Sequence, residues 1–146
     1  MAGFSHSVAI PRPPAEVFPW LLEGDRVPRW TSGLERYEPS GPLAQGGRVR
    51  QRVNVSGHAV DVDMEIVRYE PPHSAETRFN TNGVDVVNVY RLEGDANGTR
   101  LTQTLEAKAR GVTARLLVPA VQPRLERKLT EDLERLRALL VEGAPA

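Results

Sequence analysis

Between Arg48 and Glu65 the chain can fold back on itself at Ser56-Gly57 so that opposite charges meet all along one face. Centring a two-residue turn there sets Val55 against His58, Val53 against Val60 and Gln51 against Val62. On the other face Arg52 meets Asp61, Arg50 meets Asp63 and Arg48 meets Glu65. A slip of one residue turns a strand over and loses the whole match. Each exposed pair contributes only a few tenths of a kcal/mol, so the pairs matter mainly for register. The three arginines therefore read as a solvated ladder and not as a nucleic-acid stripe. The equal totals of 19 basic and 19 acidic residues agree, since nucleic-acid binding asks for a basic surplus.

The same reasoning extends the sheet. A turn at Asn82-Gly83 pairs Thr81 with Val84, Phe79 with Val86, Thr77 with Asn88 and Ala75 with Tyr90. A further strand runs from Thr99 to Ala109, with Leu101, Gln103, Leu105 and Ala107 on one face. Phe4 to Ile10 alternates in the same way and stops at Pro11, Pro13 and Pro14. The segment EVFPWLLEGDRVPRW, from Glu16 to Trp30, holds both tryptophans and breaks the strand pattern. Pro13 or Pro14 opens a helix with Val17, Phe18, Leu21 and Leu22 on its apolar side, and Pro19 sits early enough to cost little. Gly24-Asp25 ends that helix, and a second short one carries Val27 to Trp30. Trp20 is expected to wedge the first helix in place and Trp30 to stand at the edge of any pocket.

After Ala109 the period changes. Leu125, Leu129, Leu133, Leu136 and Leu140 are spaced for one helical face, and the helix is expected from about Val112-Thr113 to Gly143, bent in its first half by Pro119 and Pro123. Arg124, Arg127, Lys128, Glu131, Glu134, Arg135 and Arg137 are assigned to its outer, solvated face. A long amphipathic helix after a meander of antiparallel strands makes an α+β fold.

Other classes fall away on composition. The absence of cysteine removes disulfides, thiolate metal sites and a cysteine nucleophile. No apolar run approaches the ~18 residues of a membrane span, and the first residues lack the basic start and apolar stretch of a signal peptide, so a cytoplasmic location is the expectation. Of the three histidines only His6 has an inward direction, with no second ligand near it in the pattern. Neither a metal nor another cofactor is implied.

Several short motifs resemble those of START-like domains, the SRPBCC or polyketide cyclase/dehydrase superfamily. Ile10, Pro14, Glu16, Val17, Phe18, Leu21, Asp25, Pro28 and Trp30 follow its opening pattern. Arg68-Tyr69-Glu70-Pro71-Pro72 and Gly98-Thr99-Arg100-Leu101-Thr102 match later pieces. The resemblance covers nearly the whole chain and implies one domain over residues 1–146. It implies a helix-grip fold: a curled antiparallel sheet of about seven strands, two short helices between strands 1 and 2, and one long C-terminal helix. It further implies a cavity between sheet and helix.

Strand parity shows what would face that cavity. Val49, Gln51, Val53, Val55, Val60, Val62, Met64 and Ile66 fall inward, as do Ala75, Thr77, Phe79, Val86, Asn88, Tyr90, Leu92, Leu101, Gln103 and Leu105. Most are small or medium and apolar, which favours a hollow over a solid core. Gln51, Thr77, Asn88 and Gln103 are neutral polar exceptions, and burial without partners costs each roughly 1–3 kcal/mol. Either they satisfy one another, Thr77 with Asn88 first, or they meet a ligand. The candidate ligand-binding residues are Trp30, Gln51, Met64, Thr77, Phe79, Asn88, Tyr90 and Gln103. Tyr69 and Tyr90 have the chemistry to donate to a ligand carbonyl, but amphipathic core residues are the preferred reading.

No inward strand position carries Asp, Glu, Lys or Arg, so no catalytic residue is nominated. The first functional reading is binding of a small hydrophobic molecule (lipid, polyketide or aromatic compound) by a monomer or weak homodimer, without nucleic acid or integral membrane association. The second, implied by the resemblance, is a polyketide cyclase/aromatase or dehydratase. The third is a protein-interaction module.

Overall fold

The computed structural model describes residues 2–55, 57–81 and 83–143, without the side chains of 2, 55, 113–114 and 116–121. Seven strands form one antiparallel sheet: β1 (Ala2–Ile10), β2 (Leu34–Pro39), β3 (Arg48–Val55), β4 (His58–Glu70), β5 (Ser74–Thr81), β6 (Val84–Asp95) and β7 (Gly98–Ala109). Their spatial order is β1-β7-β6-β5-β4-β3-β2, so six strands form a meander and β1 closes onto β7. Between β1 and β2 lie α1 (Pro14–Val17), α2 (Pro19–Leu22) and a 3-10 turn (Val27–Arg29); α3 (Val112–Val141) follows the sheet. This is the helix-grip arrangement, a curled sheet holding a long helix.

Both hairpin registers are those expected. β3 and β4 pair Gln51 with Val62 and Arg52 with Asp61, while β5 and β6 pair Thr77 with Asn88 and Ala75 with Tyr90. Ser56 and Asn82 lie outside the described residues, but Gly57 and Gly83 beside them have φ of 85° and 79°, the left-handed region these turns require. The charge ladder is real in register and looser in contact. Arg52 reaches Asp61 at 3.2 Å and Glu35 at 3.1 Å, whereas Arg48 bonds diagonally to Asp63 at 3.4 Å rather than to Glu65 opposite it.

One expected helix is two. The stretch opening at Pro14 divides into α1 and α2 because Pro19 has no N–H to return to the carbonyl four residues back. Phe18 between them stays helical at φ −53° and ψ −43°, and Leu21 N–H reaches back to the Phe18 carbonyl at 3.0 Å. The path therefore continues in the same direction with Val17, Phe18, Leu21 and Leu22 all buried.

The two tryptophans hold this segment together. Trp30 Nε1 donates to the Trp20 carbonyl at 2.8 Å, and the Tyr37 hydroxyl donates to the Leu22 carbonyl at 2.6 Å. These bonds occupy carbonyls that end a helix this short. The Trp20 ring is fully buried, with the guanidinium carbons of Arg29 and Arg26 at 4.7 and 5.5 Å from its centroid. Gly98 is needed where β1 meets β7: its φ is 137°, and a Cβ there would stand 2.2 Å from the Ile10 carbonyl oxygen. Neighbouring Thr99 donates its hydroxyl to the Arg12 carbonyl at 2.7 Å.

α3 is helical from Val112 to Val141 straight through Pro119 and Pro123; the side chain of Pro119 lies outside the described residues. Leu133, Leu136 and Leu140 are at most 2% exposed and join Ile10, Trp20 and Leu101 in the core. The same half of the helix is fixed to the β1 region by polar bonds. His6 Nε2 lies 2.9 Å from Glu134, Arg137 donates to the Ala9 carbonyl at 3.0 Å, and Arg12 donates to the Leu140 carbonyl at 2.7 Å.

Candidate functional site

The other half of α3 does not close onto the sheet. Leu125 and Leu129 stay half-buried, and a cavity of about 390 Å³ lies between them and the concave strands. This is inside the roughly 300–1,000 Å³ of small-molecule sites. Its apolar wall is built from Leu21, Leu22 and Val27 near the short helices, from Val53, Val60, Val62, Val86 and Leu105 on the sheet, and from Leu125 and Leu129 on α3. Valines at alternating strand positions leave this space because they reach less far than leucine or phenylalanine.

All eight residues nominated from the sequence line this cavity: Trp30, Gln51, Met64, Thr77, Phe79, Asn88, Tyr90 and Gln103. Trp30 lines it and Trp20 does not. Tyr69 does not line it either; its ring meets Phe18 edge-on at 5.4 Å between centroids. His6, given an inward direction by parity, is also outside the lining, turned to Glu134 instead.

The inward polar groups are partly paired, though not as expected. Gln103 Nε2 donates to Asn88 Oδ1 at 3.0 Å and more weakly to the Tyr90 hydroxyl at 3.4 Å. Gln51 Nε2 faces Met64 Sδ at 3.1 Å, a poor acceptor. Thr77 sits opposite Asn88 in register, yet no bond joins them; the Asn88 oxygen accepts from Gln103 across β6 and β7. Among the described residues Thr77 Oγ1 has no hydrogen-bond partner, and Thr77 is 1% exposed. Burial lifts the Tyr90 phenol to about 12, with the nearby Asp132 carboxylate raising it further and an Asn88 hydrogen bond opposing. Tyr90 is thus a neutral donor in the wall and not a base at ordinary pH. Burial raises Tyr37 also, with Tyr90 adding to the shift.

What strand parity missed comes from α3. Asp132 is 2% exposed and lines the cavity with Lys128. Lys128 Nζ donates to Asp132 Oδ2 at 2.6 Å, while Oδ1 accepts from Ser32 N–H and from Arg135, both at 3.1 Å. Arg135 also donates to the Trp30 carbonyl at 3.2 Å. The assignment of Lys128 to the solvated face is corrected: its side chain is 14% exposed. Arg135 is half-exposed but is likewise engaged inward at its tip. The sequence held a signal. Asp132 lies three residues after Leu129 and four before Leu136, a carboxylate in a position of the leucine stripe, with Lys128 one turn before it.

Comparison with solved structures extends the fold. The Thermus thermophilus protein TTHA0849 superposes with a TM-score of 0.81 at 16% identity, over 99% of this chain and 100% of that one. Ara h 8.0201 gives 0.76 at 15% identity, over 97% and 99%. The di-domain ARO/CYC StfQ of the steffimycin biosynthetic pathway gives 0.80 at 13% identity, over 97% of this chain and 52% of that chain, so this chain spans about half of StfQ. At such identities the likeness speaks for fold alone. No curated protein matches the sequence significantly. The model of one sequence family, described as polyketide cyclase / dehydrase and lipid transport, does match, over residues 1–141, and the chain belongs to that family.

Proposed function

We propose that the chain binds a small hydrophobic molecule, such as a lipid, a polyketide or an aromatic compound, in the cavity between the sheet and α3. The observation that carries this reading is the cavity of about 390 Å³ with mainly apolar walls in a fold whose other half is densely packed. Family membership supports it. Trp30 lines the cavity and Trp20 does not, so tryptophan fluorescence tests it directly. Titration with a hydrophobic quencher is expected to dim the wild type more than Trp30→Phe, which keeps only Trp20. Native mass spectrometry of freshly purified protein is expected to show a co-purified small molecule. Equal quenching in both proteins, with no bound mass, overturns the reading.

A second reading, a polyketide cyclase/aromatase or dehydratase, is favoured by one observation: Lys128, Asp132 and the neutral Tyr90 put titratable groups in the cavity wall. A phenol that stays protonated can donate a hydrogen bond to a substrate carbonyl as an enol forms, and Lys128 can stabilise the oxyanion. Incubation with a reactive poly-β-ketone thioester is the test. A product profile changed by the protein, and changed back by Tyr90→Phe, supports catalysis; profiles identical with and without protein overturn it. The interaction-module reading gains nothing comparable, since Val112 and Val141 are the exposed large hydrophobics among the described residues and lie near opposite ends of α3. No described helix is long and apolar enough to cross a membrane.

A further inference from the structure

We propose that the cavity selects a monoanionic amphiphile, holding its apolar body against the valines and leucines and its acidic oxygens at Lys128 Nζ. This rests on the ligand-binding reading above and adds the chemical class of the ligand.

The argument begins with unused donors. An ammonium carries three N–H groups. Among the described residues Lys128 uses one of them, toward Asp132 Oδ2 at 2.6 Å. Its side chain is nevertheless only 14% exposed and borders the cavity. Asp132 cannot neutralise it alone, because the same carboxylate also binds the Arg135 guanidinium at 3.1 Å. With its carboxylate shared between two cations, Asp132 leaves Lys128 with N–H groups that no described residue accepts. The other acidic residue in the lining, Glu126, accepts from Gln122 at 2.7 Å through Oε2, and no described hydrogen bond or ion pair joins it to Lys128.

A wholly apolar ligand would cover the remaining Lys128 donors without replacing their water, an unfavourable outcome for a charged group. A ligand with an acidic head gives them a charge-assisted partner instead. Thr77 Oγ1 supplies a second, independent sign that the site is incomplete without a polar ligand group: the residue lines the same cavity, is 1% exposed, and its hydroxyl has no partner among the described residues.

A matched pair of fluorescent probes tests the inference. N-phenyl-1-naphthylamine is neutral, and 8-anilinonaphthalene-1-sulfonate is the same body carrying one anionic group. The wild type is expected to bind the sulfonate about tenfold more tightly than the neutral probe, the scale of one charge-assisted contact. Lys128→Met should lose that preference and keep its affinity for the neutral probe within about twofold, while Lys128→Arg should retain the preference. Because Lys128→Met uncovers Asp132, the double variant Lys128→Met/Asp132→Asn serves if the single one does not fold by circular dichroism. Its amide oxygen can still accept from Ser32 N–H. If the sulfonate keeps its advantage without Lys128, the placement of the acidic head at Lys128 is wrong, and if it never has one, the anionic class is wrong; in either case the cavity remains a binding site. If neither probe binds the wild type, both this inference and the ligand-binding reading fall.

Discussion

The two halves of α3 face the same sheet with the same leucine period and do different things there. From Leu133 onward the leucines are sealed into the core, and three polar bonds fasten the helix to the β1 region. Before Asp132 the leucines are half-buried over a hollow, and the described polar groups bond within the helix rather than to the sheet. Asp132 stands at the boundary and ties α3 to the loop after Trp30 through Ser32 N–H. A hydrophobic period thus fixes which face of a helix turns inward. Whether that face meets matter or space is set by the side chains opposite: Ile10, Trp20 and Leu101 at one end, mostly valines at the other.

Paired truncations are the strongest way to break this contrast. Leu136→Ala removes a side chain with 0% exposure from packed surroundings and is expected to cost about 3–4 kcal/mol in urea unfolding. Leu129→Ala borders a space that already exists, so no new cavity term arises, and about 1 kcal/mol is expected. Equal losses at the two sites would mean that the hollow end is packed in solution.

At the boundary, Asp132→Ala leaves Lys128 and Ser32 N–H without their acceptor. About 2–3 kcal/mol is expected, below the full cost of breaking a buried pair because Arg135 reaches solvent. Tyr90 offers a pH test of the same region. Its folded-state value, about 12, lies above the ordinary 10, so the neutral phenol favours folding. Its contribution is complete below pH 10 and declines as pH rises toward 12, up to about 2 kcal/mol. Tyr90→Phe should therefore lose less stability than wild type between pH 10 and 12, and of the phenols that ionise late in an ultraviolet titration one should be missing from the variant. Parallel stability curves for the two proteins would remove Tyr90 from the buried boundary.

The sheet was legible because alternation, two turn glycines and the opposed charges of β3 and β4 all specify the same registers. Eight lining residues followed from parity and the tryptophan spacing, since in a strand an inward neighbour implies an inward residue two positions on. The helix-borne part was not legible in the same way. Lys128 is charged and follows Arg127, which places it with the solvated face, yet a lysine stem can lie along apolar surface and bring its ammonium inward. Asp132 is hidden when the stripe is read through Leu133; the alternative path Leu125, Leu129, Asp132, Leu136 has equally good spacing and puts a carboxylate in its centre. Thr77 lies where parity puts it but does not bond Asn88, because register fixes which residues are opposite and not which side-chain atoms come within bonding distance.

The smallest expected effect on stability falls on Thr77, and its sign makes it informative. Thr77→Val keeps the branched shape and replaces a 1% exposed hydroxyl that has no partner. Such a change normally destabilises, because the hydroxyl usually has a bond to lose. Here there is none, so the ligand-free variant should be equal to wild type or more stable by up to about 1 kcal/mol, read as a rise of a few degrees in Tm. A ligand that uses the Thr77 hydroxyl should stabilise wild type more than the variant, reversing the order in thermal scans with ligand present. A clear loss of stability in the ligand-free variant would show that the hydroxyl is already satisfied, and that this end of the sheet is not held open for a polar group.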